Sequence, residues 1–250
     1  LFLYGRVYTN HLWFTGMAGE PAPTTHYSLL TLSVDFPIHP IMAQSFAVID
    51  REIGTHKDKF SPAEYEIVRR VIHSTADFEF QHLIHFSPSA IAAGIQAIRD
   101  RLPIITDVGM VKQGVAGLVA KTFANPLISA VEEVEVALPG KTRTETGLMQ
   151  CYEKFPTAIF VIGNAPTALL ALCQELQSQE LPTQKLPALV IGAPVGFISV
   201  VESKAALAKT PVNQIRVEGR KGGSPVAAAI LNALIMLALE RESGVGSRES

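Results

Sequence analysis

The sequence predicts an α/β protein in which a mainly parallel sheet lies between two layers of helices. Three observations lead to this prediction. Short and almost wholly apolar runs recur from residue 103 onward, each run is followed by a turn, and each turn precedes a segment with helical spacing. Apolar runs of this length are typical of strands buried on both faces, and their alternation with helices indicates a parallel sheet. A ligand then binds beyond the carboxyl ends of the strands.

The first predicted elements are two helices. Residues 42–53 and 63–73 carry apolar side chains three and four positions apart, as amphipathic helices do. The second helix has a clear start signal. Ser61 can cap it, Pro62 suits its first position, and Glu64 can complete a capping box.

A similar signal at Ser87 and Pro88 predicts a third helix, which ends at about Arg101. Beyond it, strands and helices alternate. The predicted strands are residues 103–106, 158–162, 188–191 and 212–217. The helices that follow them begin at residue 107 and then cover residues 165–177, 197–208 and 223–239. We therefore expect the functional site where these strands end.

The first 38 residues differ from the rest of the chain. They mix aromatic residues with Gly, Pro and Thr, show no sustained period, and lack the basic start and apolar run of a signal peptide. We interpret residues 1–38 as an extension that is poorly ordered or, over residues 1–16, not part of the native product. Residues 39–240 then form the domain and residues 241–250 a tail. The intact mass of the protein made from its natural gene tests the hypothesis on residues 1–16.

The composition argues against several classes of protein. There are 21 Lys and Arg residues against 23 Asp and Glu residues, a formal net charge of −2, whereas a general nucleic-acid binder carries a basic excess. Cys151 and Cys173 provide neither a disulfide framework nor a zinc set. No apolar run approaches the ~18 residues of a membrane span. We expect a cytoplasmic protein that binds neither nucleic acid nor a membrane.

A glycine-rich segment, residues 219–224, precedes the last predicted helix. Arg220 and Lys221 make it basic, and free N–H groups at the start of a helix can hold an anion. It has neither a Walker A sequence nor a G-x-G-x-x-G pattern after the first strand. A tight turn that requires glycine and a loop that binds carboxylates both remain open, and a phosphate loop has the weakest support.

The histidines of the first half of the chain are candidate site residues. The spacing of His73, His82 and His85 with Glu79 matches no metal-binding pattern, so we predict no metal site. Arg70 lies three residues before His73, on the same helical face. The pair can be an anion clamp beside a proton donor, or His73 can simply cap the end of its helix. These residues alone favour the cap. The G-x-S-x-G signature of a hydrolase is also absent.

Six short motifs occur in a fixed order between residues 39 and 239. They are SFAVI (45–49), VIH (71–73), DVGMV (107–111), GNAPTAL (163–169), PVGF (194–197) with ESK (202–204), and GRKGGS (219–224). Together they resemble the precorrin-8X methylmutase family of cobalamin biosynthesis, whose members are also described as cobalt-precorrin-8 methylmutases. Each motif is weak alone, but six in order at compatible spacing are specific.

The resemblance implies a three-layer α/β/α fold of the flavodoxin-like kind, with a mainly parallel five-stranded sheet. It implies a homodimer that binds the corrinoid tetrapyrrole substrate and product at or near the subunit interface, without a cofactor. The implied reaction moves a methyl group from C11 to C12 of precorrin-8X or cobalt-precorrin-8, giving hydrogenobyrinic acid or cobyrinic acid. The family's catalytic histidine corresponds to His73, and its substrate contacts to Ser45, Arg70 and, ranked below them, Arg143.

The implied reaction agrees with the chemistry of these residues. A methyl shift on a conjugated ring requires neither a nucleophile nor a redox partner, but a macrocycle held in one distortion with its electron distribution adjusted. A histidine that protonates a ring nitrogen, or donates a hydrogen bond to it, can make that adjustment. The acidic side chains of a corrinoid require scattered donors, which Arg70, Arg143, Arg220 and the Ser45 hydroxyl can supply.

One departure from the family pattern and two alternative functions stay open. Many relatives carry an arginine where Asp50 stands, which leaves the contacts at the end of that helix undetermined. A non-catalytic corrinoid-binding protein is one alternative, against which the presence of His73 argues. A nucleotide-dependent oxidoreductase is the other, against which the missing glycine fingerprint argues. The sequence leaves open whether the substrate carries cobalt.

Overall fold

The computed structural model describes residues 39–178 and 185–242. The proposed extension, residues 1–38, and residues 243–250 of the proposed tail lie outside the described residues. The α-helices are α1 (Pro40–Ile53), α2 (Pro62–Thr75), α3 (Phe80–Leu83), α4 (Ala90–Arg99), α5 (Gly109–Lys121), α6 (Arg143–Lys154), α7 (Pro166–Ser178), α8 (Val200–Ala208) and α9 (Ser224–Glu242). Two short 3₁₀ helices, Gly54–Lys59 and Ala130–Glu132, accompany them. None of the helices in the described ranges combines the length and apolar character that crossing a bilayer requires.

The sheet is mixed and mainly parallel. Its strands are β1 (Ile84–Phe86), β2 (Ile104–Thr106), β3 (Leu127–Ser129), β4 (Ile159–Ile162), β5 (Leu189–Gly192) and β6 (Gln214–Val217), in the order β1-β6-β5-β4-β2-β3. All neighbouring pairs are parallel except β1 with β6.

The prediction of a mainly parallel sheet is confirmed, whereas the prediction of five strands is wrong. The described residues form six strands. The antiparallel strand β1 pairs with the outer side of β6 and so covers backbone groups that an edge strand leaves unpaired. Its middle residue is His85, so it produces no continuous apolar run.

The sheet has a hydrophobic cluster on each face. In β4, Ile159 and Val161 belong to one cluster and Phe160 and Ile162 to the other, because successive side chains of a strand point to opposite faces. Helices α1, α2, α4, α5 and α9 complete the first cluster, and α6, α7 and α8 complete the second. The four residues of β4 and of β5 are all buried, as the apolar runs predict.

The two helix-start signals behave differently. At Ser61 the capping box forms, since the Glu64 N–H donates to the serine hydroxyl and the Ser61 N–H donates to the Glu64 carboxylate at 2.8 Å. Such a cap contributes about 1 kcal/mol. At Ser87 the prediction of a cap is wrong. Helix α4 begins at Ala90, and the Ser87 hydroxyl accepts a hydrogen bond from the Gln214 N–H at 2.9 Å. It thereby extends the pairing of β1 with β6.

Candidate functional site

Helices α1 and α2 carry three of the four predicted site residues. Phe46, the chain neighbour of Ser45, is 5% exposed and points from α1 toward α2. Its ring meets the His73 imidazole edge to face, with ring centres 5.3 Å apart. The guanidinium carbon of Arg70 lies 5.9 Å from the centre of the same ring. The structure thus brings Arg70 and His73 together around Phe46. Among the described residues, no hydrogen bond or ring contact joins Ser45 to either of them.

His73 is exposed in the last turn of α2 and makes no hydrogen bond with any described residue. The end of the helix is closed by other groups. The Ala76 N–H donates to the Ile72 carbonyl at 2.8 Å, and the Ser74 and Thr75 hydroxyls each donate to the Val71 carbonyl at 2.9 Å. The capping interpretation of His73 is therefore not supported. Its imidazole is available to a ligand.

Arg70 is a half-buried cation. Burial lowers the pKa of its guanidinium, and the neighbouring Glu66 carboxylate opposes that effect. Within the described ranges, the guanidinium forms no ion pair and no hydrogen bond. Its neighbour Arg69, in contrast, pairs with Asp50 at 3.1 Å and with Glu66. Of the two arginines, Arg70 is the one available to an anionic group.

Unlike His73 and Arg70, Ser45 already uses its side chain in a hydrogen bond within its own helix. Its hydroxyl donates to the Ile41 carbonyl one turn earlier, at 2.9 Å. The hydroxyl oxygen can still accept a hydrogen bond, but donation to a ligand requires that this bond within the helix be exchanged.

Arg143 lies on the other helical layer, at the first position of α6. Its Nη2 donates to the carbonyls of Val131 at 2.9 Å and Val134 at 3.0 Å, and its Nε donates to Val134 at 3.3 Å. These bonds hold the segment that follows β3. Nη1 has no partner among the described residues. No contact in the described part of the chain connects Arg143 with the His73 neighbourhood.

Asp107 joins the ends of β2 and β4, where the sheet order reverses and where ligands of such sheets bind. One carboxylate oxygen accepts the Asn164 N–H at 2.6 Å and the Ala165 N–H at 2.8 Å, and the other accepts the Val108 N–H at 2.9 Å. Burial raises the pKa of Asp107, although these N–H donors act in the opposite direction. The side chain is fully buried and anchors the loop that leads into α7.

Lys204 is a buried residue that the sequence identified only as part of a motif. Its side chain crosses from α8 to the glycine-rich segment, where Nζ donates to the carbonyls of Gly219 at 2.9 Å and Lys221 at 2.7 Å. Lys221 in turn donates to Asp77 at 2.6 Å and to Glu79 at 2.5 Å. The glycine-rich segment is therefore tied to the chain that follows α2 and His73. Lysine is rarely buried, so no sequence pattern predicts this role.

We expect Lys204→Met to lower the free energy of unfolding by about 2 kcal/mol, since two carbonyls lose their donor. The loss should increase with pH. Burial lowers the pKa of Lys204 from 10.5 to about 8, so between these values the unfolded chain binds more protons than the folded chain. Wild-type stability, measured relative to the variant, then rises as the pH rises through this window. Urea unfolding of both proteins at pH 7.0 and pH 9.5 measures the difference, and a constant gap contradicts the prediction.

The histidines that the sequence analysis considered for a metal site lie apart from one another. Residues 80–86 form the short helix α3 and then β1, with His82 on the helix and His85 on the strand. The His85 imidazole lies 3.4 Å from the Glu218 carboxylate, whereas the His82 ring packs against that of His56. In the part of the chain that the structure describes, no three His, Cys, Asp or Glu side chains converge in a way that could hold a metal ion.

Comparison with known proteins gives consistent results. The family model described as "CbiC: Precorrin-8X methylmutase" matches residues 40–237. The chain is 55% identical over 214 residues to the cobalt-precorrin-8 methylmutase of Synechocystis sp., covering 80% of this chain and 96% of the relative. It is 39% identical over 209 residues to the precorrin-8X methylmutase of Pseudomonas aeruginosa, covering 81% and 95%. The solved structure of the Thermus thermophilus precorrin-8X methylmutase superposes with a TM-score of 0.71 at 40% identity, covering 82% of this chain and 100% of that one.

Proposed function

The chain belongs to the precorrin-8X methylmutase family, and we propose that it acts on its substrate through His73. The enzyme is an isomerase that shifts a methyl group on a corrinoid of cobalamin biosynthesis. The observation that supports the role of His73 is its position. An exposed imidazole stands beside the half-buried Arg70, and neither side chain has a hydrogen-bond or ion-pair partner among the described residues.

In the proposed reaction, the bond from the migrating methyl group to C11 breaks and a bond to C12 forms. His73 donates a hydrogen bond or a proton to a nitrogen of the macrocycle and takes it back when the shift is complete. Histidine suits this role because its pKa ordinarily lies near neutrality. The Phe46 ring limits the movement of the imidazole from the α1 side. No cofactor enters this scheme.

We assign the carboxylates of the substrate to Arg70, Ser45 and Arg143. Arg70 supports this assignment best because its guanidinium makes no hydrogen bond with the described residues. For Ser45, the hydroxyl oxygen accepts from the ligand or exchanges its bond with Ile41. For Arg143, Nη1 is the atom that remains available.

Arg70→Ala is expected to weaken binding of the product about 10- to 100-fold, since a charge-assisted hydrogen bond contributes about 1.5–3 kcal/mol. Titration with hydrogenobyrinic acid or cobyrinic acid, followed by visible absorbance, measures the affinity. Arg99→Ala, which removes an exposed arginine from α4, is the matched control. An affinity equal to that of the control would contradict the role of Arg70.

A homodimer with the corrinoid near the subunit interface completes the proposal. Four large apolar side chains are exposed after β5, which is typical of a surface that another protein covers. They are Val195 (43% exposed), Phe197 (83%), Ile198 (82%) and Val201 (47%). We further propose a cytoplasmic enzyme that binds neither nucleic acid nor a membrane. The net charge of −2 supports the nucleic-acid part of this proposal, because a general nucleic-acid binder carries a basic excess.

The arrangement of the parallel strands supports a flavodoxin-like classification. Without β1, five parallel strands remain, and their order is β6-β5-β4-β2-β3. When these five strands are numbered 1 to 5 along the chain and the sheet is read from the β3 edge, the order is 2-1-3-4-5, as in flavodoxin.

We propose the cobalt-containing corrinoid as the preferred substrate, because the relative at 55% identity is named for it. Incubation of the purified enzyme with cobalt-precorrin-8 and, separately, with precorrin-8X tests both the reaction and this preference. The expected result is conversion of both substrates, with a larger kcat/KM for the cobalt form. Co-elution of the product with protein of dimer size in gel filtration tests the assembly. Binding without conversion would identify a corrinoid-binding protein instead.

A further inference from the structure

Asp50 joins α1 to α2 through two side chains of α2. Its Oδ2 accepts a hydrogen bond from Arg69 Nη1 at 3.1 Å, and its Oδ1 accepts one from the Tyr65 hydroxyl at 2.6 Å. Burial and the bond to Asp50 raise the pKa of Tyr65, so the phenol keeps its proton and remains a donor. The Arg69 side chain is only 17% exposed and that of Asp50 33%, which limits the access of water to the pair.

Arg69 connects this pair with the proposed catalytic histidine. Its guanidinium carbon lies 4.4 Å from the centre of the Phe46 ring, and the centre of the same ring lies 5.3 Å from that of the His73 imidazole. Arg69 Nε is buried without a hydrogen-bond partner among the described residues. The position of the guanidinium over Phe46 therefore depends on the bonds of its terminal nitrogens to Asp50 and Glu66.

We propose that Asp50 is a positioning residue for His73. It holds Arg69 against Phe46, and Phe46 in turn orients the imidazole toward the substrate. This inference rests on the proposed function of His73. A cation at position 50 would repel Arg69, so this arrangement depends on the carboxylate of Asp50.

The contribution of the Asp50–Arg69 pair to overall stability should be small. Partly exposed ion pairs contribute up to about 1 kcal/mol, and Arg69 keeps Glu66 as a second partner. The fold is therefore expected to survive substitution at Asp50. An effect on turnover can then be separated from an effect on folding.

The test compares Asp50→Ala with Glu52→Ala, which removes the same charge from an exposed position of the same helix. We expect Asp50→Ala to lower kcat about 10- to 100-fold, as a small misplacement of a catalytic group does. The affinity for hydrogenobyrinic acid should change less than about threefold, because the main carboxylate contact, Arg70, is untouched. Asp50→Asn serves as a second variant. Its amide oxygen can still accept a hydrogen bond from the Tyr65 hydroxyl, but the neutral side chain forms no ion pair with Arg69.

Arg69→Met and the double variant Asp50→Ala/Arg69→Met test whether Asp50 influences His73 through Arg69. If Asp50 acts through Arg69, the double variant has the same kcat as Arg69→Met alone. A kcat for Asp50→Ala equal to that of Glu52→Ala overturns the proposal. So does a double variant whose fold-loss in kcat is the product of the fold-losses of Asp50→Ala and Arg69→Met, because the two residues would then act independently. His73→Ala is measured in parallel. Full turnover of that variant refutes the role of His73, whereas an inactive His73→Ala beside a fully active Asp50→Ala refutes the positioning role alone.

Discussion

His73→Ala is expected to lower kcat about 10²- to 10⁴-fold, the usual contribution of a general acid or base. The affinity for the product should stay within about threefold of the wild-type value, because His73 makes no hydrogen bond that holds the described structure together and Arg70 still meets the carboxylates. The imidazole is exposed at the end of α2, so its removal leaves no buried cavity. Folding should therefore be unaffected.

The rate is best measured in a single turnover with the enzyme in excess. Slow release of a tightly bound product can otherwise hide a change in the chemical step. His82→Ala, which removes another exposed histidine, is the control. His73→Gln keeps a neutral hydrogen-bond donor that cannot act as an acid. Partial activity of His73→Gln would indicate that a hydrogen bond suffices, and wild-type activity of His73→Ala would show that the histidine is not the acid.

Gly222→Ala is expected to destabilise the fold by about 2–4 kcal/mol through backbone strain and steric overlap. Gly222 has a φ of +156°, and a Cβ on it would lie 2.4 Å from the Ala193 carbonyl oxygen and 2.7 Å from that of Pro194. Both contacts are with backbone, so neither can be relieved by rotation of a side chain. The glycine-rich segment would have to move away from the end of β5.

Gly219→Ala is the matched control in the same segment. Gly219 has a φ of +70°, but nothing lies within 4 Å of the position of its Cβ. This variant should lose only about 1–2 kcal/mol, the cost of a left-handed conformation for an L-residue. Urea unfolding of the two variants measures the difference. Equal losses would show that close backbone approach is not the reason for the glycine at position 222.

Part of the fold could be predicted from local patterns, and part could not. The apolar runs of β2, β4, β5 and β6 and the capping box at Ser61 are local signals, and the structure confirms them. Strand β1 contains His85 and strand β3 ends in Ser129, so neither is apolar or β-branched throughout. Helix α6 also carries a local start signal, since Thr142 caps it and accepts the Glu145 N–H at 3.1 Å.

The resemblance to the family implied His73, Ser45, Arg70 and Arg143 as site residues, but not their mutual arrangement. Arg143 belongs to the other helical layer and bonds to the Val131 and Val134 carbonyls. From the residues alone, the capping interpretation of His73 was favoured over a role in ligand binding. The structure shows that Ala76, Ser74 and Thr75 close the end of the helix instead, and the role of His73 stays a prediction.

The sequence by itself determined the alternation of strands and helices, the helix that carries His73, and the family to which the chain belongs. These properties follow from burial and helix termination, which leave local and periodic patterns in the chain. Only the tertiary structure decided that Asp50 meets Arg69 and that Lys204 reaches the carbonyls of Gly219 and Lys221. Such contacts join residues that are distant along the chain or lie on different helices. The identity of a partner depends on how helices pack around the sheet, which no local pattern records.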